Sequence, residues 1–418
     1  MNRSLLVVGV AGLVACGGML PLIESDAGME EDGSVQEAAA DVALDEAVAE
    51  ADAAVVTCAS DQVLCDGGCY ANDINHCGPS CASCDAPAYS TATCDGTSCG
   101  FTCNFLQCGS DCVDPTSDPL NCGECGHDCL GETCTSGACT PESLFSGVQA
   151  AAISVDSTNL YWVNYGYDIV KAPKGGGTST TLATHISFIV IALAVGESNL
   201  YWSSVYGIGS VPIAGGTPTV APSNNTTWPC VPYLGPDAIY YGDYSQASDV
   251  YAMPYDGGPP VGVIPTTDTI AGAVYTPTYI YFAAGDPGPT IWRASTAAPD
   301  AGSEAVFTGD AGFSGFPPFV MNDGGNAFVQ TQKGIWDVPL DGGTQTKMTA
   351  INTIWLAADS SNVYTANSAA IYRTPIGGTT STVVYQPPTQ NITAIAIDDK
   401  YVYFGYTGTG TGIYRVAK

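Results

Sequence analysis

Sixteen cysteines crowd into residues 58–139: Cys58, Cys65, Cys69, Cys77, Cys81, Cys84, Cys94, Cys99, Cys103, Cys108, Cys112, Cys122, Cys125, Cys129, Cys134 and Cys139. Cys81-Ala-Ser-Cys84 and Cys122-Gly-Glu-Cys125 have the spacing of a dithiol redox pair or half a zinc site, and His76 and His127 lie close enough to serve as further zinc ligands. Neither chemistry suits the surroundings. A redox pair needs a strand-to-helix setting that depresses the first thiol's pKa, whereas Gly, Asp, Asn, Ser and Thr surround both motifs. An even number of cysteines in a segment almost without core formers reads as a disulfide framework, whose pairing spacing alone does not give. No metal or other cofactor is expected. Cys65-x3-Cys69-x7-Cys77-Gly78 returns as Cys108-x3-Cys112-x9-Cys122-Gly123, so two related modules stand in tandem.

Beyond residue 140 the reactive side chains are sparse. Arg293, Arg373 and Arg415 suggest an anion-binding triad of the kind used by propeller sialidases, but each follows an Ile-aromatic pair. They therefore occupy equivalent strands and do not converge. His185 is the only histidine of this region, and Ser-x-Asp-x-Gly-x-Thr-Trp, Gly-x-Ser-x-Gly and His-Glu-x-x-His are all missing. Asp168 with Asp243 or Asp286 has the chemistry of a glycosidase carboxylate pair. Cys230, with no histidine near it in sequence, reads as a small buried apolar residue.

The elements that must position these groups are legible as a repeat. The aromatic anchors Tyr161, Tyr201, Tyr240, Tyr281, Phe328, Tyr364 and Tyr403 recur at close to the 40-residue period of a four-stranded propeller blade. Ala152-Ile-Ser-Val-Asp156, Asn159-Leu-Tyr-Trp-Val163, Ile169-Val-Lys-Ala-Pro173 and Thr181-Leu182 make four short strands separated by turn signals. The expected fold is all-β, a seven-bladed propeller over residues 141–418. Its last unit stops after a third strand, and Glu142-Ser-Leu-Phe145 stands where a fourth would be, so this segment is expected to close the ring. Asp156, Asp323, Asp359 and Asp398 stand five residues before their anchors, where a carboxylate can accept the amides of a tight turn. Gly215-Gly216, Gly257-Gly258, Gly342-Gly343 and Gly377-Gly378 serve hairpins, since no helix follows to bind phosphate.

Departures from the repeat mark the expected binding surface. Ser223 to Cys230 lengthens the second-to-third blade link, Ala297 to Phe316 expands the fourth blade, and Tyr165, Tyr167, Tyr206, Tyr244 and Tyr406 fall between second and third strands. With Asp168, Trp228 and Asp243 they are the candidate ligand contacts, as flat rings beside polar tips suit sugar or peptide recognition. The competing reading is that these rings pack on neighbouring blades.

Ahead of the cysteines, one charge at Arg3 precedes the apolar run Leu5 to Ala15, too short to span a bilayer but suited to a signal peptide over residues 1–15. Leu13-Val-Ala-Cys16 resembles the lipobox of bacterial lipoproteins, which implies lipidation of Cys16, membrane anchoring through its acyl chains, and, with Gly17 following, an outer-membrane or cell-surface address. Residues 16–57 are acidic and Ala-rich and are expected to form a solvated tether with a reach of about 35 Å. Residues 58–140 would follow as the disulfide-stapled module. Between Arg3 and Lys171 there is no Lys or Arg, and a net charge of -31 argues against nucleic acid as a partner.

The segment Leu106 to Cys129 resembles a Cys-rich stalk of surface lipoproteins from gliding soil bacteria, and the Leu-Tyr-Trp steps at 160–162 and 200–202 resemble YWTD-type and, more broadly, TolB- and NHL-type propellers. Those likenesses imply location and fold. The expected work is non-catalytic recognition of a polysaccharide or an envelope or surface protein. A propeller carbohydrate-active enzyme and a TolB-like envelope scaffold are the alternatives.

Overall fold

The computed structural model describes residues 56–418 apart from 166, 187–189, 205–206, 223–231, 243–248, 267–269, 285–289, 309–318, 322–324, 332–333, 341–342, 351–354 and 390. Tether residues 16–55, together with Cys16, Cys230, Asp286 and Asp323, lie outside the described residues.

Each aliphatic–aromatic pair lies on the second strand of a four-stranded antiparallel meander, and there are seven such sheets. In the first, Ala150–Val155, Asn159–Asn164, Ile169–Pro173 and Thr180–Ala183 run from the innermost position to the outermost. Leu160, Tyr161, Trp162 and Val163 are all buried, the mark of a strand whose sheet is covered on both faces by neighbouring blades. The packing is tight enough to dictate residue type. A Cβ on Gly209 would stand 2.1 Å from the Trp202 ring, so a third strand crossing this tryptophan needs glycine there.

The register slips at matching places from blade to blade. Innermost strands shift between Ala150 and Ala152, Val190 and Ala192, Ile270 and Gly272, and Ile392 and Ala394. A bulge adds local twist, and its recurrence gives these blades the same bend.

The seventh sheet begins with Ile392–Ile397, Tyr401–Tyr406 and Gly412–Ala417, and its outermost strand is Glu142–Ser146 from the other end of the domain. The pairing runs antiparallel from Gly412↔Ser146 to Arg415↔Glu142. Arg415 Nε donates to Glu142 Oε2 at 2.6 Å, and the Phe145 ring lies 5.0 Å from Trp162 of the first blade. One borrowed strand therefore completes one blade and packs against the next.

The cysteines are consumed in disulfides; all sixteen between 58 and 139 are bonded. Cys58–Cys69, Cys65–Cys81 and Cys84–Cys99 have counterparts in Cys103–Cys112, Cys108–Cys125 and Cys129–Cys139. The tandem modules thus share their order of bridging as well as their spacing. In neither Cys-x-x-Cys motif do the two cysteines join each other: Cys81 goes to Cys65, Cys84 to Cys99 and Cys125 to Cys108. The hairpin Gln62–Cys65 with Gly68–Ala71 turns on Asp66-Gly67, both at positive φ, a two-residue primed turn. The chain divides into two compact units between residues 127 and 128, and the loop closed by Cys129–Cys139 lies in the same unit as the propeller.

Glu142→Gln keeps the strand and removes the charge facing Arg415; a loss of about 2 kcal/mol in thermal or denaturant unfolding is expected. Deleting 142–146 exposes the Gly412–Ala417 edge, and size-exclusion chromatography should then show self-association. Gly209→Ala should destabilise by about 2 kcal/mol through overpacking against Trp202.

Candidate functional site

In a four-stranded meander, the first–second and third–fourth links leave one edge of every blade, and the second–third and blade-to-blade links leave the other. On the first edge the lengths hardly vary: first–second links have three residues, four in the fifth blade, and third–fourth links have six, seven in the fourth blade. On the opposite edge the second–third links run from two to eight residues and the blade-to-blade links from three to ten. One face is a repeated fixture and the other is where the sequence varies.

The uniform face uses its charges on itself. Asp156 Oδ1 accepts the amides of Thr158 and Asn159, both at 2.6 Å, while its Oδ2 accepts the Tyr161 hydroxyl at 2.8 Å. Asp398 does the same with Lys400, Tyr401 and Tyr403, and Asp359 takes the amides of Ser361 and Asn362. These are the turn carboxylates expected from the spacing, with the anchor tyrosine as an additional donor. Burial and the adjoining carboxylate together push the phenols of Tyr161 and Tyr403 well above the usual tyrosine range. Where glycine replaces the aspartate the ring moves in: a Cβ on Gly235 would lie 2.6 Å from the Tyr240 ring.

The arginines also have a shared task. Lys171 Nζ donates to the Ile213 carbonyl at 3.2 Å, Arg293 to the Leu340 carbonyl at 3.3 Å and Arg415 to the Lys174 carbonyl at 3.5 Å. In each case a third-strand cation reaches the residue just after the third strand of the following blade. Asp337 holds the same place in the fifth blade and accepts the Gly377 amide instead. Arg293 and Arg415 also lie over the rings of Tyr279 and Tyr401, at 4.5 and 4.4 Å. The repeated basic position is therefore an inter-blade staple. Its signal was visible in the sequence; its partner, a main-chain carbonyl, has no side-chain signature to find.

On the variable face Tyr206, Trp228, Asp243 and Tyr244 lie outside the described residues. Tyr165 is 55% exposed on the link after Asn164. Tyr167, half-buried at φ +63°, and Asp168 complete that link. Asp168 donates its amide to Asn164 Oδ1 at 2.9 Å, and its own Oδ1 accepts the His185 amide at 3.1 Å. Asp168 and His185 thus meet through the His185 main chain, and the carboxylate shapes two links. Tyr406 departs from the loop position expected for it. It ends the strand Tyr401–Tyr406, is buried, and shares a hydrogen bond with the Thr389 hydroxyl while packing edge-on against Tyr414. Its ring partner, Tyr414, belongs to the same blade.

Two cysteine clusters have metal-like proximity, Cys77 with Cys84 and Cys99, and Cys122 with Cys129 and Cys139. Every member is disulfide-bonded, so in this state neither cluster offers a thiolate.

No protein-family model matches the chain, and no curated protein matches it. Solved structures do. A catalytically inactive virginiamycin B lyase from Staphylococcus aureus, with quinupristin, aligns with a TM-score of 0.52 at 12% identity, over 67% of this chain and 98% of the other. The extracellular domain of a B. thetaiotaomicron protein described as a one-component system aligns with a TM-score of 0.50 at 12% identity, over 66% of this chain and 39% of that one. At these identities the likeness is one of fold.

Two buried carboxylates on the uniform face should respond to pH in opposite directions. For Asp398 burial favours the neutral form, but Lys174 at 2.7 Å and two turn amides outweigh it and hold the group below the usual range. That contribution is present above the unfolded carboxylate pKa and is lost as pH falls through the folded value. Asp337 is raised by burial, against hydrogen bonds from Asn326 and Gly377, so it costs stability at neutral pH and the cost fades in acid. Thermal melts should show Asp398→Asn about 2 kcal/mol less stable than the parent at pH 7, with the gap narrowing below about pH 4. Asp337→Asn should match or exceed the parent at pH 7.

Proposed function

We propose that the chain is a lipid-anchored recognition protein of the bacterial envelope or cell surface, in which the propeller binds a polysaccharide or a protein partner through its variable face without transforming it. The contrast between the two faces supports this reading: on the uniform face the turn carboxylates and third-strand cations serve turns and staples and link length is nearly constant, while link length and composition change on the other. Dense disulfides mark an exported protein. The lipobox-like Cys16 supplies the anchor, the acidic tether and stapled modules supply distance, and the ring supplies a rigid platform. Rigidity matters because a preformed surface binds without the entropic cost of ordering its loops.

Tyr165 is the exposed aromatic anchor of this reading. Tyr165→Ala in the exported chain should weaken binding to the captured partner by about tenfold with unchanged melting temperature. Lys171→Ala on the uniform face should lower stability and leave affinity alone. A screen against a glycan panel and solubilised envelope proteins identifies the partner, and mass spectrometry of bound glycan reports cleavage. Turnover would replace the binding reading with an enzymatic one.

A further inference from the structure

Four adjoining links of the variable face carry no charged side chain in this strongly acidic chain, as is also true in sequence of residues 205–206, 223–232 and 350–354. Asn367 to Ala370, Gln386 to Thr389 with Asn391, and Thr407 to Thr411 serve the sixth and seventh blades, and Gly147 to Gln149 enters the first. None contains Asp, Glu, Lys, Arg or His, in a protein with a formal charge of -31. Their polar groups are the amides of Asn and Gln and the hydroxyls of Ser and Thr.

The four are joined to one another through the backbone. The Ile392 amide donates to the Ser368 carbonyl at 3.2 Å, Thr407 to Asn391 at 3.0 Å, and Gly147 to Thr411 at 2.7 Å. Within the links, Asn367 Oδ1 accepts the amides of Ala369 and Ala370, and the Gly408 amide donates to Thr411 Oγ1 at 3.0 Å. Beneath them lies an aromatic stack, with Tyr385 and Phe404 at 5.1 Å and Phe404 and Tyr414 at 5.6 Å; the Tyr414 hydroxyl donates to the Gly410 carbonyl. The rim is fixed from below and from the side, while Thr389, Asn391 and Thr409 remain exposed on it.

Resting on the recognition role proposed above, we infer that this sector is a subsite for a neutral saccharide. Amides and hydroxyls both donate and accept, which matches sugar hydroxyls that do the same. An anionic glycan would meet no cation on these four links and would be repelled by the chain's overall charge. A protein partner is disfavoured because the energetic centres of protein interfaces are aromatic and Arg side chains, and the exposed residues described here are Gln, Pro, Thr, Asn and Gly.

The test uses the exported chain and titration calorimetry with oligosaccharides of β-glucan, α-mannan and galactan, with polygalacturonate as the anionic comparison. Thr409→Glu adds a charge at an exposed link tip, and Asn391→Ala removes one amide without touching the backbone bond to Thr407. Binding of a neutral oligosaccharide, weakened about tenfold by either variant with unchanged melting temperature, is the expected result. Preference for polygalacturonate, or neutral-sugar binding that both variants leave intact, overturns this subsite and leaves the broader recognition role standing. A protein partner lost on Tyr165→Ala but indifferent to Thr409→Glu overturns the subsite in the same way. Failure of the screen and calorimetry to detect any ligand overturns both.

Discussion

A ring of sheets built from an open chain has one seam that the backbone does not hold, and here that seam is closed by a strand taken from the other end. Three of the ion pairs among the described residues lie around it, and a fourth, Arg293 with Glu304, lies within the fourth blade. Arg415 with Glu142, Lys174 with Asp398 and Lys418 with Asp359 link the sixth, seventh and first blades. Elsewhere apolar clusters are joined by single staples to main-chain groups, as where Val274 and Tyr281 of the fourth blade pack with Ala327 and Val329 of the fifth and Arg293 reaches the Leu340 carbonyl. A half-buried ion pair adds little over apolar packing in raw stability, but it is selective about geometry. At a closure that must find one register among several, selectivity is what is needed.

The two ends of the strands have divided their work. On the uniform end the link lengths are nearly constant and the hydrogen bonds recur where the residues do: the carboxylates of Asp156, Asp359 and Asp398 hold their own turns, and the cations Lys171, Arg293 and Arg415 reach the following blade. On the variable end no such rule holds, and link length changes blade by blade. Preserving one end lets the other change without loss of the ring.

What the sequence showed depended on whether a feature was periodic. The anchors from Tyr161 to Tyr403, the turn aspartates and the missing fourth strand all announce themselves through the repeat, and the structure has each described one in its place. Tyr406 was harder. Tyr165 stands four residues after its anchor, one past the end of its strand, whereas Tyr406 stands three after its anchor and is the last residue of its strand, so the two look alike in sequence and fall on opposite sides of a strand end. The Cys-x-x-Cys motifs misdirect for a related reason: nearness in sequence places Cys81 beside Cys84, while the chain's return brings Cys65 across to Cys81. The staples combine side chain with main chain, and only half of such a pair is ever written in residue types.

The strand that closes the ring is also the strand by which the chain enters it. Glu142–Ser146 follows directly on Cys139, and Cys139 is tied to Cys129. A pull arriving from the N-terminal side is therefore delivered through the loop closed by Cys129–Cys139 to the outer edge of the seventh blade, ahead of the strands of the first. The Arg415–Glu142 contact and the Phe145 ring against Trp162 meet that load first. The closure is in this sense a mechanical clasp, loaded in shear along the strand it borrows.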